Sequence, residues 1–166
     1  MAFDFTDPRH VARRAGLYAL AFEEAGQVLA VQERVLAEMR GRAAGLLAAA
    51  GVTASIFGGP LGGSGRGGPA LYVAMAAFAG VALCTLALLW PNHLDVAADP
   101  QLIVSEYAEP IAVPLPLVHR DLAMHRAVSV ERNGRKLATA TTMLQAALSL
   151  FATEVLAWLA NLVLDA

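Results

Sequence analysis

Charged residues and cysteine are scarce in this sequence. Of its 166 residues, 16% are charged and one, Cys84, is a cysteine, whereas an average soluble domain has about 25% charged residues. A single cysteine excludes an intrachain disulfide and a thiol-rich metal site. The 12 basic and 14 acidic residues give a net charge of −2. Because this balance creates no global basic field, we expect no nucleic acid polymer among the partners.

Apolar residues make up 57% of the sequence, against about 45–50% in soluble proteins, and the mean hydropathy is +0.55. Three stretches reach the roughly 20 mainly apolar residues that a membrane-spanning helix needs, namely 43–63, 69–90 and 143–164. We therefore predict an all-α integral membrane protein that has the lipid bilayer as a partner.

The three stretches differ in composition. The second has no charge, begins with Pro69 and stops before Pro91, as a helix does. The first is rich in Ala and Gly and is interrupted near its end by the run Gly58-Gly59-Pro60. Through the short loop 62–68, we expect it to form an antiparallel helical hairpin with the second, whose backbone groups are all paired. Near the end of the third stretch, Trp158 suits the membrane interface.

The basic residues are distributed unevenly around the spans. Six precede the first span, Arg66 lies alone in the hairpin loop, five precede the third span and none follows it. Because cytoplasmic loops carry the excess of Lys and Arg, we predict a multi-pass inner-membrane protein with a cytoplasmic N-terminus. The mixed polarity of the first 42 residues is not that of a cleavable signal.

The segments outside the spans are predicted to be helical. No Pro separates residues 10–42 from the first span, so one long, bent or straight helix is expected. Asp99-Pro100 begins an extended strap, and Leu117 to Lys136 predicts a second cytoplasmic helix with Asn133-Gly134 as a kink. The predicted organisation is a cytoplasmic amphipathic helix over 1–42, a transmembrane hairpin over 43–91 (spans about 43–63 and 69–90), a cytoplasmic strap and helix over 92–136, and a third transmembrane helix over 137–166.

Two patterns predict helix contacts. Along the N-terminal helix, residues in alternating steps of three and four form a seam that favours packing against the 117–136 helix or another copy. In the hairpin, small residues spaced by four favour close helix packing. The seam comprises Tyr18, Ala21, Ala25, Val28, Gln32, Val35 and Met39, and the small residues are Gly45, Ala49 and Thr53 on the first span and Ala76, Gly80 and Cys84 on the second.

Three short runs match parts of enzyme or metal-site motifs, but each lacks the residues or the secondary structure that the motif requires. His119-Arg120-Asp121-Leu122 copies the start of a kinase catalytic loop, but Arg126 stands where that loop needs an Asn. The run 63–68 has a G-x-G-x-x-G spacing but follows a span instead of a strand, which favours a flexible hairpin tip. His119 and His125 fall on different helix faces, so zinc is not expected. We predict no catalytic residue, no cofactor and no metal, and hence no enzyme.

Glu154 is the residue that we single out. A carboxyl group inside an apolar span costs a few kcal/mol and usually faces a bundle interior, a water-filled cavity or a partner. No span has a Lys or Arg to pair with it. Two alternatives stay open: copies of Glu154 line a cation path in an oligomer, or the group is protonated or reaches the outer interface. Its available hydroxyl partners are Thr53, Ser55, Thr85, Ser149 and Thr153.

The layout resembles the small membrane effectors of bacterial nucleotide-signalled antiphage systems. The features that carry the resemblance are the junction Arg40-Gly41-Arg42-Ala43-Ala44-Gly45-Leu46-Leu47, the small-residue hairpin, and Glu131-Arg132-Asn133-Gly134-Arg135-Lys136-Leu137 before the last span. The order of these features along the chain is similar to that in the Pycsar transmembrane effectors and the related two-span SLATT-type modules. The resemblance implies an oligomeric inner-membrane protein that permeabilises the membrane, with a separate sensor protein or direct ligand binding to its cytoplasmic helices as the trigger.

Two function classes follow from the sequence. The first is a membrane-perturbing effector that assembles as a homo-oligomer, favoured by Glu154 and the weakly apolar first span. The second is a non-catalytic membrane anchor or scaffold whose cytoplasmic helices dock a partner, favoured by the lack of a recognisable sensor or active site.

Overall fold

The described part of the chain folds entirely into helices and short connecting ends. A computed structural model describes residues 8–62, 68–90, 94 and 113–164. Its helices are α1 (Pro8–Gly62), α2 (Pro69–Leu89) and α3 (Leu115–Leu164). Each is long and apolar enough to cross a membrane, so the prediction of an all-α protein with three apolar helices of spanning length is confirmed. The predicted hairpin tip at 63–67 and most of the strap lie outside the described residues.

Helix α1 joins the predicted N-terminal helix and the first span without a break. The expected single helix is therefore confirmed, while the interruption expected at Gly58-Gly59-Pro60 is wrong because α1 continues to Gly62. Pro60 falls in the last turn, where the loss of its N–H affects only one hydrogen bond close to the helix end.

Helix α3 is likewise continuous. It begins at Leu115 and passes through Asn133 and Gly134 without leaving the helical state, so this pair does not separate a cytoplasmic helix from the third span. Asn133 is fully buried. It therefore takes part in helix packing and does not mark the end of a helix.

Helix α2 has a defined start and end. Gly68 caps it in an extended conformation, Pro69 occupies its first turn, and the Trp90 N–H donates to the Leu86 carbonyl at 2.9 Å. From α1, the Arg40 guanidinium donates to the carbonyls of Leu88 and Trp90, each at 3.3 Å. A cation is favourable at a helix C-terminus, where backbone carbonyls lack helical partners. At about 1.5 Å per residue, the 21 residues match a hydrocarbon core of about 30 Å.

The chain divides into two compact units. The first contains residues 1–34 and 93–136, and the second contains 35–92 and 137–166. Within the first unit, the Arg126 guanidinium donates to the Phe22 carbonyl at 2.9 Å, and the Gln32 amide donates to the Val130 carbonyl at 3.0 Å. The later contact residue on α1 pairs with the later contact residue on α3, so the two helices run parallel in this unit.

The second unit, which we call the membrane unit, is a three-helix bundle. The Thr141 hydroxyl lies 3.9 Å from the Met39 sulfur, and the rings of Phe57 and Trp158 stack with centroids 6.3 Å apart, so α1 and α3 again run parallel. Helix α2 is antiparallel to both. Its start lies by the end of α3 and its last carbonyls lie by Arg40, early in this part of α1.

Burial follows a seven-residue repeat along the long helices. A repeat of seven keeps one line of residues in contact with a neighbouring helix, with a left-handed supercoil. Alanine fills much of these lines in the membrane unit, where small side chains allow close approach of the helix backbones. The buried lines are Leu29, Leu36, Ala43 and Ala50 on α1, and Asn133, Ala140, Ala147, Glu154 and Asn161 on α3.

Candidate functional site in the membrane unit

Glu154 occupies the buried line of α3. Its side chain is 0% exposed, and neither carboxyl oxygen has a hydrogen-bond partner. Among the described residues of the membrane unit, it is the only buried residue of an ionisable type. The other buried polar residues in this unit are Thr85 and Asn161. A carboxyl group thus lies in the bundle interior without a formed hydrogen bond to offset the loss of water.

The hydroxyls expected to pair with Glu154 do not do so. On α1 and α3, four of them donate to the carbonyl four residues earlier in their own helix, at 2.8–3.0 Å. The fifth, on Thr85, is buried without a partner. This local bonding is typical of Ser and Thr inside helices. The four that bond their own helix are Thr53, Ser55, Ser149 and Thr153.

Trp158 lies one helical turn after Glu154. Its indole N–H approaches the carboxyl group as a donor but does not reach the geometry of a formed hydrogen bond. The side chain is 3% exposed and packs in a cluster with Ala74, Ala157 and Phe57. The ring therefore fills the space between the helices, while its depth at the membrane interface stays a prediction.

An apolar cavity of 320 Å³ adjoins the Trp158 ring. All three helices of the membrane unit contribute to its wall, and no charged residue lines it. The lining residues are Ala54, Gly58, Leu71, Met75, Phe78 and Trp158. Sequence reasoning missed this cavity, because its lining comes from three segments that no local pattern connects.

The predicted close-packing positions separate into two groups. Gly80 on α2 lies directly against α3, since a Cβ atom there would lie 2.8 Å from Leu150 Cδ1. Gly45 and Ala49 lie on the exposed surface of α1, and nothing lies within 4 Å of a Cβ placed at Gly45. Their expected packing against α2 is not present within the chain, because Ala43 and Ala50 hold the buried positions of this helix.

The predicted seam on α1 lies beside the buried line. Tyr18, Ala25 and Met39 are part-buried, as is Val35. Val28 is 41% exposed, whereas its neighbour Leu29 is 2% exposed. The signal that identifies the buried line is the spacing of Leu29 and Leu36 by seven, continued by Ala43 and Ala50. An interface of the seam with another copy stays a prediction.

In the first unit, His119 and Arg126 have aromatic contacts on α1. The Arg126 guanidinium carbon lies 3.7 Å from the Phe22 ring centroid, a cation–π arrangement. His119 stacks on the same ring with centroids 5.5 Å apart. Gly26 leaves room for this, since a Cβ there would lie 2.7 Å from an Arg126 guanidinium nitrogen. Of the kinase-like run, His119 thus belongs to a helix–helix contact, whereas Arg120 and Asp121 are exposed.

Among the residues described, no group of three or more His, Cys, Asp or Glu side chains is arranged to hold a metal ion. Comparison of the chain with protein-family models, curated proteins and solved structures gives no match. The arguments for function therefore come from the geometry of the chain itself.

Proposed function

We propose that this chain is an inner-membrane effector that assembles as a homo-oligomer and permeabilises the membrane. The observation that carries the proposal is Glu154, whose carboxyl group is buried and unpartnered between apolar helices. Ionisable groups inside membrane-spanning segments are costly and mark ion or proton pathways more often than they serve stability. The proposed biological setting is nucleotide-signalled antiphage defence, in line with the family resemblance.

In this proposal, the described membrane unit is the closed arrangement. Glu154 faces the interior of its own bundle, so a path lined by several copies requires the helices of each bundle to separate. The unpartnered carboxyl group makes the closed bundle less stable than an all-apolar one. A trigger then needs to supply only a small free-energy difference to shift the population. The proposed trigger is a separate sensor protein or a ligand of the cytoplasmic helices.

Ion flux through reconstituted protein tests the proposal. In potassium-loaded vesicles without a trigger, we expect the wild-type chain to release potassium slowly through the minor population of open assemblies that a small free-energy difference allows. Glu154→Gln should release it several times more slowly still, because Gln keeps the shape and removes the charge. Ser149→Ala, on an exposed position of the same helix, is the matched control and should leave flux unchanged. No flux from inserted, oligomeric wild-type protein, or equal flux from wild type and Glu154→Gln, would contradict the pore role.

The proposed orientation places both long helices with their N-terminal ends in the cytoplasm. In a Cys84→Ala background, we expect a cysteine at Ser64 to react with an impermeant maleimide added outside the cell, and a cysteine at Ser129 to react only after permeabilisation. The physical reason is the excess of basic residues in the two segments assigned to the inside. Inverse labelling of the two positions would overturn this orientation.

One observation favours the second candidate function, a membrane anchor or scaffold. In the first unit, α1 exposes Leu17, Leu20, Val28 and Val31, and exposed apolar residues on one helix favour a protein partner. The same flux measurement separates the candidates, because an anchor conducts no ions in any variant.

A further inference from the structure

Two exposed apolar stripes run along the helices of the first unit. Four apolar side chains on α1 are 41–57% exposed, and three on α3 are 42–62% exposed. Their spacings of three, four, seven and eight residues keep each set on one helix face. The α1 stripe consists of Leu17, Leu20, Val28 and Val31, and the α3 stripe consists of Leu117, Met124 and Val128. Because α1 and α3 already contact each other through Phe22 and Arg126, both stripes stay uncovered within one chain.

The two stripes differ in charge. Glu24 lies in the middle of the α1 stripe and Arg120 lies within the α3 stripe, and both are exposed. Residues 17–33 include three acidic and no basic residues, whereas residues 117–133 include three basic and two acidic ones. The exposed contact of Arg120 with Asp121, at 3.5 Å, is of a kind that contributes little. The two stripes are therefore complementary in charge as well as apolar, which favours pairing of one with the other.

The heights of the two stripes also match. The two hydrogen bonds described between α1 and α3 in this unit join residues 104 and 98 positions apart. On this scale, Val28 lies near the level of Val128, and Glu24 lies within one helical turn of the level of Arg120. Copies that are related by an axis along the membrane normal have the same direction and depth. The α1 stripe of one copy is therefore parallel to the α3 stripe of a neighbouring copy and in register with it.

We propose that the α1 stripe of one copy packs against the α3 stripe of the next copy, with an ion pair between Glu24 and Arg120 across the interface. The inference rests on the proposed homo-oligomer and identifies the surfaces that build it. Because the two surfaces differ, the contact is heterologous and forms a ring when its rotation closes. A ring is the arrangement that a path lined by several copies of Glu154 requires.

Disulfide crosslinking between differently tagged copies tests which surfaces meet. In a Cys84→Ala background, a chain with Val28→Cys is coexpressed with a chain with Val128→Cys, and the membranes are oxidised with copper phenanthroline. We expect the mixed dimer at several times the yield of either variant crosslinked to itself, because unlike stripes meet. Ala30→Cys lies two residues from Val28 on another exposed face of α1. Used in place of Val28→Cys, it is the control and should give little mixed dimer.

Charge reversal tests the ion pair across the same interface. Glu24→Arg or Arg120→Glu, present in every chain, should each lower the yield of mixed dimer several-fold, because like charges then meet. Both substitutions together should restore the yield. Glu23→Arg makes the same change on a neighbouring exposed position outside the stripe and should leave the yield unchanged.

Crosslinking and ion flux can fail independently. Mixed dimer at the level of the Ala30→Cys control, a dominant product of Val28→Cys with itself, or no restoration by the double reversal would overturn the proposed interface even if the protein conducts ions. A different protein crosslinked to Val28→Cys in place of a second copy would also overturn it and would favour the anchor or scaffold function. Specific mixed dimer without potassium flux would support this interface and contradict the pore role.

Discussion

Leu29→Asp is expected to unfold the packing of α1 against α3 in the first unit. Leu29 is 2% exposed and starts the seven-residue buried line. Truncating a buried leucine to alanine already costs about 2–5 kcal/mol, and an aspartate there adds an unpaired charge, so we expect a loss of more than about 3 kcal/mol. Loss of helicity by circular dichroism and a lower unfolding midpoint of the full chain in detergent would measure it.

Val28→Asp is the matched control, because it places the same charge one residue earlier on an exposed position. The unfolding midpoint of this variant should stay close to that of the wild type. If Val28→Asp instead lowers oligomer size while the fold is retained, the predicted seam is an interface between copies. Equal destabilisation by both substitutions would contradict the assignment of Leu29 to the buried line.

Glu154→Leu is expected to stabilise the membrane unit. The substitution replaces two unpartnered buried oxygens by apolar atoms of similar volume. An unsatisfied buried polar group costs about 1–3 kcal/mol, so the unfolding free energy should rise by a comparable amount, measured as resistance to unfolding by sodium dodecyl sulfate. In the proposed function, the same variant should lose ion flux, because stability and activity require opposite properties at this position.

Gln145→Leu is the control for added apolarity on α3, since Gln145 is exposed. It should change stability little in comparison with Glu154→Leu. A folded but destabilised Glu154→Leu protein would mean that the carboxyl group has a stabilising partner in the assembled protein, such as a group from another copy. That result would require a revised description of the site.

Individual helices were predictable to a large extent. The uncharged stretch that starts at Pro69 and ends before Pro91 corresponds closely to α2, because span length and helix-end residues are local properties. The continuity of α1 followed from the absence of Pro between residues 8 and 60. The expected break at Gly58-Gly59-Pro60 was wrong, because helix-weakening residues in a final turn cost too little to end it.

The candidate site was predictable only in part. Glu154 was recognisable as an unusual carboxyl group in an apolar segment. Its lack of partners was not recognisable, because the pairing of each hydroxyl depends on the backbone carbonyl one turn earlier and not on composition. The burial of Trp158 between the helices was not recognisable either, because a large ring near the end of a span can face the surroundings or fill a gap between helices.

The sequence by itself determined that the chain forms long apolar helices with one carboxyl group inside a span, since helix length, hydropathy and residue identity need no knowledge of neighbours. Only the tertiary structure decided which of the adjacent apolar residues Val28 and Leu29 is buried. It also decided that α2 approaches α3 at Gly80 and that three separate segments enclose a cavity. The physical reason is that burial of an apolar residue is favourable on any face of a helix. Which face is buried therefore depends on how the surfaces of the neighbouring helices fit together.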